Sequence, residues 1–129
     1  VLYFKTHSFH WNVEGPNFKS LHELFMEQYT ELWNAIDEIA ERIRTLGAYA
    51  PNNYKELLAP ASLKDVGQTP DADSMVKMLA DDNAAIIETL KELLGAAQDA
   101  GDEASTDLAI QRINIHEKTA WMLRSTMKG

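Results

Sequence analysis

The sequence contains no cysteine. Disulfides, thiolate metal sites and cysteine nucleophiles are therefore excluded, and the composition fits a reducing cytoplasm. No apolar run is long enough to span a bilayer, and no signal-peptide pattern is present. Positive charge is scarce: 12 Lys and Arg stand against 20 Asp and Glu, a net charge of −8. That balance speaks against a generic basic nucleic-acid surface and for cation binding or plain solubility. Proline and glycine are also few, four and six residues. Most of them punctuate the gaps between long stretches of helical periodicity, and no strand alternation or internal repeat survives between them. At 129 residues the chain has the length of one domain. Val1-Leu2-Tyr3-Phe4 already lies in an apolar pattern with no methionine or capping residue ahead of it. The expected organisation is one domain over 1–129, lacking an N-terminal tail and the start of its first helix.

Five helical segments are predicted. Residues 1–13 read as the end of a helix, followed by a stop and restart at Gly15-Pro16-Asn17. A second helix over 18–46 carries Phe18, Leu21, Phe25, Tyr29, Leu32, Ile36, Ile39 and Ile43 at three- and four-residue steps, and Gly47 ends it. A crossover over 48–70, rich in Pro and Asn, has room for a short helix at Tyr54–Leu58. Two more helices follow over 72–100 and 103–127. Met75, Met78, Leu79, Ile86, Leu90, Leu93 and Ala97 mark the first, and Leu108, Ile110, Ile113, Ala120, Trp121, Leu123 and Met127 the second. The fold class is all-α, a four-helix bundle with one long crossover carrying a short helix, which is the ferritin-like arrangement.

The chemistry-bearing residues crowd into the first two helices. His7 and His10 are i, i+3 and share a face, as do Asp37 and Glu41 at i, i+4. His22 lies on the same long helix as Asp37 and Glu41. Imidazole with carboxylate suits iron, zinc or manganese. His22 and Asp37, however, are 15 positions apart, roughly 22 Å along one helix. One metal ion cannot bridge that distance. Either these residues are unrelated, an ordinary polar interface, or two chains must meet to complete a site. A ferritin-type di-iron bundle needs Glu-x-x-His on two helices, and the chain has none; His116-Glu117 cannot serve. Two chains packed antiparallel about a two-fold axis would instead bring His22 of one to Asp37 and Glu41 of the other, twice over.

The series His10-Trp11-Asn12-Val13-x-Gly15-x-x-Phe18-x-x-Leu21-His22, then Asp37-x-x-Ala40-Glu41-Arg42-Ile43, resembles the Dps family, the mini-ferritins. The likeness continues through the crossover into His116-Glu117-Lys118-Thr119-Ala120-Trp121-Met122-Leu123 and covers almost the whole chain. It implies a ferroxidase of the bacterial cytoplasm or nucleoid. Such proteins form hollow homo-dodecamers, oxidise Fe²⁺ at sites shared across two-fold interfaces, usually with hydrogen peroxide, and store the ferric mineral inside. By position, His10 and His22 come from one subunit, and Asp37 and Glu41 from its neighbour. Glu41 resembles the family's bridging carboxylate, with His22 assisting through water. Trp11 resembles the tryptophan beside the iron that supplies or quenches an electron, and His7 is placed as a hydrogen-bond or proton-transfer partner. Glu103 and Asp107 resemble residues lining acidic three-fold pores, and Glu27, Glu31 and Glu38 would face the cavity.

Two departures from the pattern stand out. Where the family usually has an acidic residue four positions after the second histidine, this chain has Met26. Neighbouring Glu27 is turned about 100° away, so weaker binding of a second iron is expected, with water or Thr30 filling in. Many members bind DNA, often through lysine-rich N-terminal tails, which these residues do not replace. DNA compaction is the alternative function, and a helical scaffold holding zinc or no metal is a third.

Overall fold

The structure, a computed structural model, describes residues 1–128. Its helices are α1 Leu2–Asn12, α2 Phe18–Thr45, α3 Tyr54–Leu58, α4 Ala72–Asp99 and α5 Glu103–Thr126. Each lies within one or two residues of its expected place. Among the described residues no helix is long and apolar enough to cross a membrane. The chain divides into two compact units, 1–72 and 73–129.

In the first unit α1 and α2 form an antiparallel hairpin. Partners on α2 fall in number as those on α1 rise: Tyr3 lies beside Trp33, Phe9 beside Phe25, and His10 beside His22. Leu2, Phe9, Val13, Leu21 and Phe25 are buried. A wholly buried Phe25 alone contributes about 1.5–3 kcal/mol. The end of α2 is closed by a glycine at φ +99°, Gly47. Ala48 N–H donates to the Ile43 carbonyl at 3.2 Å and Gly47 N–H to that of Arg44 at 3.0 Å, so two carbonyls the helix leaves open find donors. In the crossover, Asn53 caps α3 by accepting from Glu56 N–H, while Glu56 Oε2 accepts from Asn52 N–H.

The apolar stripe expected on α2 needs correction. Leu21 and Phe25 are buried, but so are Gln28 and Ala35, whereas Phe18, Ile36 and Ile39 are exposed. The apolar arc is wider than the strip this chain buries. Tyr29, Leu32 and Ile43 sit at its half-buried edge.

In the second unit, Met75, Val76, Leu79, Ala80 and Ala97 of α4 and Ala109, Ala120 and Leu123 of α5 are buried. Leu93, Ile110, Trp121 and Met127, expected inside, are exposed. Polar residues occupy some of the buried positions instead. Arg112 and His116 are 4% and 3% exposed, and Arg112 Nη2 lies 2.9 Å from His116 Nε2. An arginine only donates, so that imidazole nitrogen accepts and the ring proton sits on Nδ1. Nδ1–H donates to Asn83 Oδ1 at 2.8 Å, and Asn83 Nδ2–H donates to the Leu79 carbonyl at 2.8 Å. The network ties α5 to α4 with every polarity fixed.

Three residues join these helices. Gly101, at φ +69°, donates to Gln98, and Asp102 N–H donates to Ala97 at 2.9 Å, closing α4. The Asp102 side chain then accepts from Ser105 N–H at 3.0 Å and opens α5.

Candidate metal centre

Position 10 sits in the last turn of α1 and position 22 in the second turn of α2, and the hairpin register brings them face to face. The rings of His10 and His22 stack with centroids 3.8 Å apart and planes 17° from parallel. His10 Nδ1 lies 2.7 Å from the carbonyl oxygen of His22, and His22 Nδ1 lies 2.6 Å from that of His10. A carbonyl accepts and never donates, so each ring carries its proton on Nδ1. This leaves Nε2 as the nitrogen through which each ring would bind a metal. The main chain thus fixes both tautomers and both ring orientations. Phe18 stacks on the outer face of His22 at 4.9 Å. His10 is buried and His22 half-buried.

Asp37 and Glu41 lie further along α2, and both are exposed. Among the described residues no group of three His, Asp or Glu side chains could hold a metal ion within this chain. The chain therefore presents two separate donor sets: a pair of imidazoles with preset tautomers, and a pair of carboxylates one helical turn apart. The nitrogen set suits a borderline metal such as ferrous iron, and the oxygen set suits ferric iron as well. Met26 is half exposed on the helix turn after His22 and offers a thioether where a carboxylate would add charge.

Around the histidine pair lies an aromatic cluster. His7 stacks on Tyr29 with centroids 3.7 Å apart and planes 8° from parallel. Trp11 lies 4.4 Å from His7. Tyr3 Oη is 2.9 Å from His7 Nδ1, and Trp33, 62% exposed, lies 5.4 Å from Tyr3. Burial, and secondly the nearby His10, lower the His7 pKa below its ordinary 6.5. Tyr3, His7, Tyr29, Thr30 and Trp33 line an open pocket of about 280 Å³. Sequence reasoning singled out every histidine here but missed the reciprocal carbonyl bonds and Tyr3. The i, i+4 spacing of Tyr3 and His7 was the available signal for that pair.

On α5, Glu103 stands in the first turn, and Asp107 accepts from Gln111 Nε2 at 2.9 Å. Glu27 and Glu38 are exposed, and Glu31 is half-buried.

The chain is similar to several known proteins. The ferritin-like domain matches residues 1–128. DNA protection during starvation protein 2 of Bacillus anthracis is 41% identical over 97% of this chain and 86% of its own length. A low temperature-induced protein of Nostoc sp. is 40% identical over the whole chain and 73% of its own. Among solved structures, Dps from Staphylococcus aureus superposes with a TM-score of 0.95 at 36% identity, covering all of this chain and 87% of that one. The Dps protein of Vibrio cholerae O1, described as a member of a broad superfamily of ferritin-like diiron-carboxylate proteins, gives 0.93 at 35% identity over 98% of this chain and 80% of that one. The chain belongs to the ferritin-like family and, within it, to the Dps proteins. Its fold is accordingly the ferritin-like four-helix class, with α3 carried in the crossover.

Proposed function

We propose that the protein oxidises ferrous iron and stores the ferric product. His10 and His22 of one subunit and Asp37 and Glu41 of a two-fold partner bind the Fe²⁺ substrate between them. The observation that carries this reading is the histidine pair itself: two stacked imidazoles that each donate Nδ1–H to the other's carbonyl and so turn Nε2 outward as a donor, with no third His, Asp or Glu grouped with them among the described residues. A half-site of this kind has a use once a second chain supplies the oxygen donors. Membership of a family that includes ferritin-like diiron-carboxylate proteins supports an iron-handling role in general.

Hydrogen peroxide is the oxidant in this reading. Two ferrous ions each give one electron to one peroxide, the O–O bond breaks, and two protons are taken up to leave two waters. Pairing the electrons limits release of hydroxyl radical. In this reading Trp11, whose ring lies 4.4 Å from that of His7, supplies an electron and His7 relays a proton. Glu103 and Asp107 line the entry pores of a homo-dodecameric shell, which concentrate cations by their charge. Glu27, Glu31 and Glu38 face its cavity and take up ferric iron. Met26 in place of a carboxylate weakens retention of a second iron.

The test is a ferrous oxidation assay on the assembled Asp37→Ala/Glu41→Ala variant. The expected result is a fall to the uncatalysed rate with particle size unchanged. Oxidation at the unmodified rate by intact particles would remove the proposed site. The rival reading, DNA compaction, draws on the names of relatives such as the DNA protection during starvation proteins. A salt-dependent gel shift would favour it.

A further inference from the structure

The geometry points to Tyr3 as a one-electron donor to oxidising radicals, with His7 receiving its phenolic proton. Its link to radicals made during iron oxidation rests on the ferroxidase reading above, whereas the donor chemistry itself does not.

Three observations carry the assignment. The first is the hydrogen bond: Tyr3 Oη lies 2.9 Å from His7 Nδ1. A phenol is the stronger acid and an imidazole nitrogen the stronger base, so the hydroxyl donates and Nδ1 accepts. Loss of an electron makes a phenol a strong acid, and a base already in its hydrogen bond lets proton and electron leave together. The second is the fixed position of that base. His7 lies flat against Tyr29, 3.7 Å away and 8° from parallel. Tyr29 thus holds the ring in the orientation that keeps Nδ1 on the Tyr3 hydroxyl. The third is the surrounding ring contacts. Trp11 is 4.4 Å from His7 and Trp33 is 5.4 Å from Tyr3, so an electron vacancy formed near the histidine pair has a short path of rings to Tyr3.

Other tyrosines lack this arrangement. Tyr29 meets His7 face to face, which leaves no in-plane hydrogen bond between them. Tyr49 and Tyr54 are 81% and 82% exposed.

The step balances as follows. A one-electron oxidant of the hydroxyl-radical class takes one electron from Tyr3 and becomes hydroxide. The phenolic O–H bond breaks, and its proton moves to His7 Nδ1. A neutral phenoxyl radical and an imidazolium remain. The radical is thereby held in an aromatic pocket instead of reaching free solutes.

The experiment uses the assembled, iron-free protein carrying Tyr49→Phe and Tyr54→Phe, which removes the two exposed phenols. Flash-generated ruthenium(III) tris-bipyridine serves as oxidant, with freeze-quench electron paramagnetic resonance as the readout. A tyrosyl spectrum that narrows with ring-deuterated tyrosine is expected. It should be lost in Tyr3→Phe and retained in Tyr29→Phe. His7→Gln, which leaves the Tyr3 ring in place, should slow its formation and change the solvent deuterium isotope effect. Circular dichroism and particle size confirm that each variant is folded. A tyrosyl yield undiminished in Tyr3→Phe, or no tyrosyl signal before that change, overturns the assignment. A second arm repeats the measurement during ferrous oxidation by peroxide. Failure of iron to be oxidised there would count against the ferroxidase reading, while the iron-free arm still decides on Tyr3.

Discussion

His10 and His22 each donate an Nδ1 proton to the other's main-chain carbonyl, at 2.7 and 2.6 Å. Each ring is anchored on the other residue's main chain, so removing one side chain leaves the remaining ring its hydrogen bond but takes away its stacking partner and one nitrogen donor. His22→Ala should therefore weaken ferrous binding about 10–100-fold, more than loss of a water-mediated contact alone would explain. Isothermal titration under anaerobic conditions measures this. Unaltered affinity would mean that the pair does not act together.

Separation of the donor sets along α2 gives a test by mixing. A His10→Ala/His22→Ala chain and an Asp37→Ala/Glu41→Ala chain should each be inactive alone. Reassembled in equal amounts, they generate some two-fold pairs in which one site collects both defects and the other collects none. Random pairing restores roughly a quarter of the sites. Ferrous oxidation by the mixture, compared with each parent, reads it out. Activity no higher than the parents would argue against a shared site.

Asn83 carries the acceptor for a buried ring. Replacing it with leucine leaves His116 Nδ1–H without its partner in a setting where His116 is 3% exposed. A loss of about 1–3 kcal/mol is expected, seen as a lower thermal midpoint of the assembled protein. Asn83→Asp keeps an acceptor and should lose less. Equal melting of the leucine variant and the unmodified protein would contradict the network's role.

His7 should titrate below 6.5, because burial and, secondly, His10 disfavour its charged form. The sign follows from linkage: between the lowered folded value and 6.5, the unfolded chain binds more protons than the folded one. This residue's contribution is therefore full above 6.5 and is lost as pH falls from 6.5 through the folded value. Histidine NMR titration, assigned with His7→Gln, supplies the midpoint; a value of 6.5 would remove the effect and a higher one would reverse its sign.

Much of this was legible in the residues. Glycines at 47 and 101 and the Gly15-Pro16-Asn17 restart mark helix ends almost to the residue, because they serve local backbone needs that no tertiary contact overrides. His10, His22, Asp37 and Glu41 stand out through spacing, and the distance along α2 argues for donors from more than one helix. The buried strip of α2 was not legible. Ile36 and Gln28 compete for the interior, and hydrophobicity alone picks Ile36, yet Gln28 is buried and Ile36 exposed. Arg112 was passed over for the same reason, since a charged residue reads as surface until its partner His116 is seen. The crossed carbonyl bonds of the histidine pair depend on hairpin register, which α1 and α2 settle only when they pack.

The Asp102 junction has a consequence for how the chain tolerates change in length. Its main-chain N–H finishes α4 while its carboxylate starts α5. One residue thus spends both ends of itself, and the connection holds no slack. A single inserted residue after Gly101 would separate these duties and strand open N–H or C=O groups on one helix or the other. The crossover, whose stretch from position 59 to 69 contains exposed residues outside any helix, can absorb such an insertion. Sequence drift in length should therefore accumulate in that crossover, while the α4–α5 connection keeps its count.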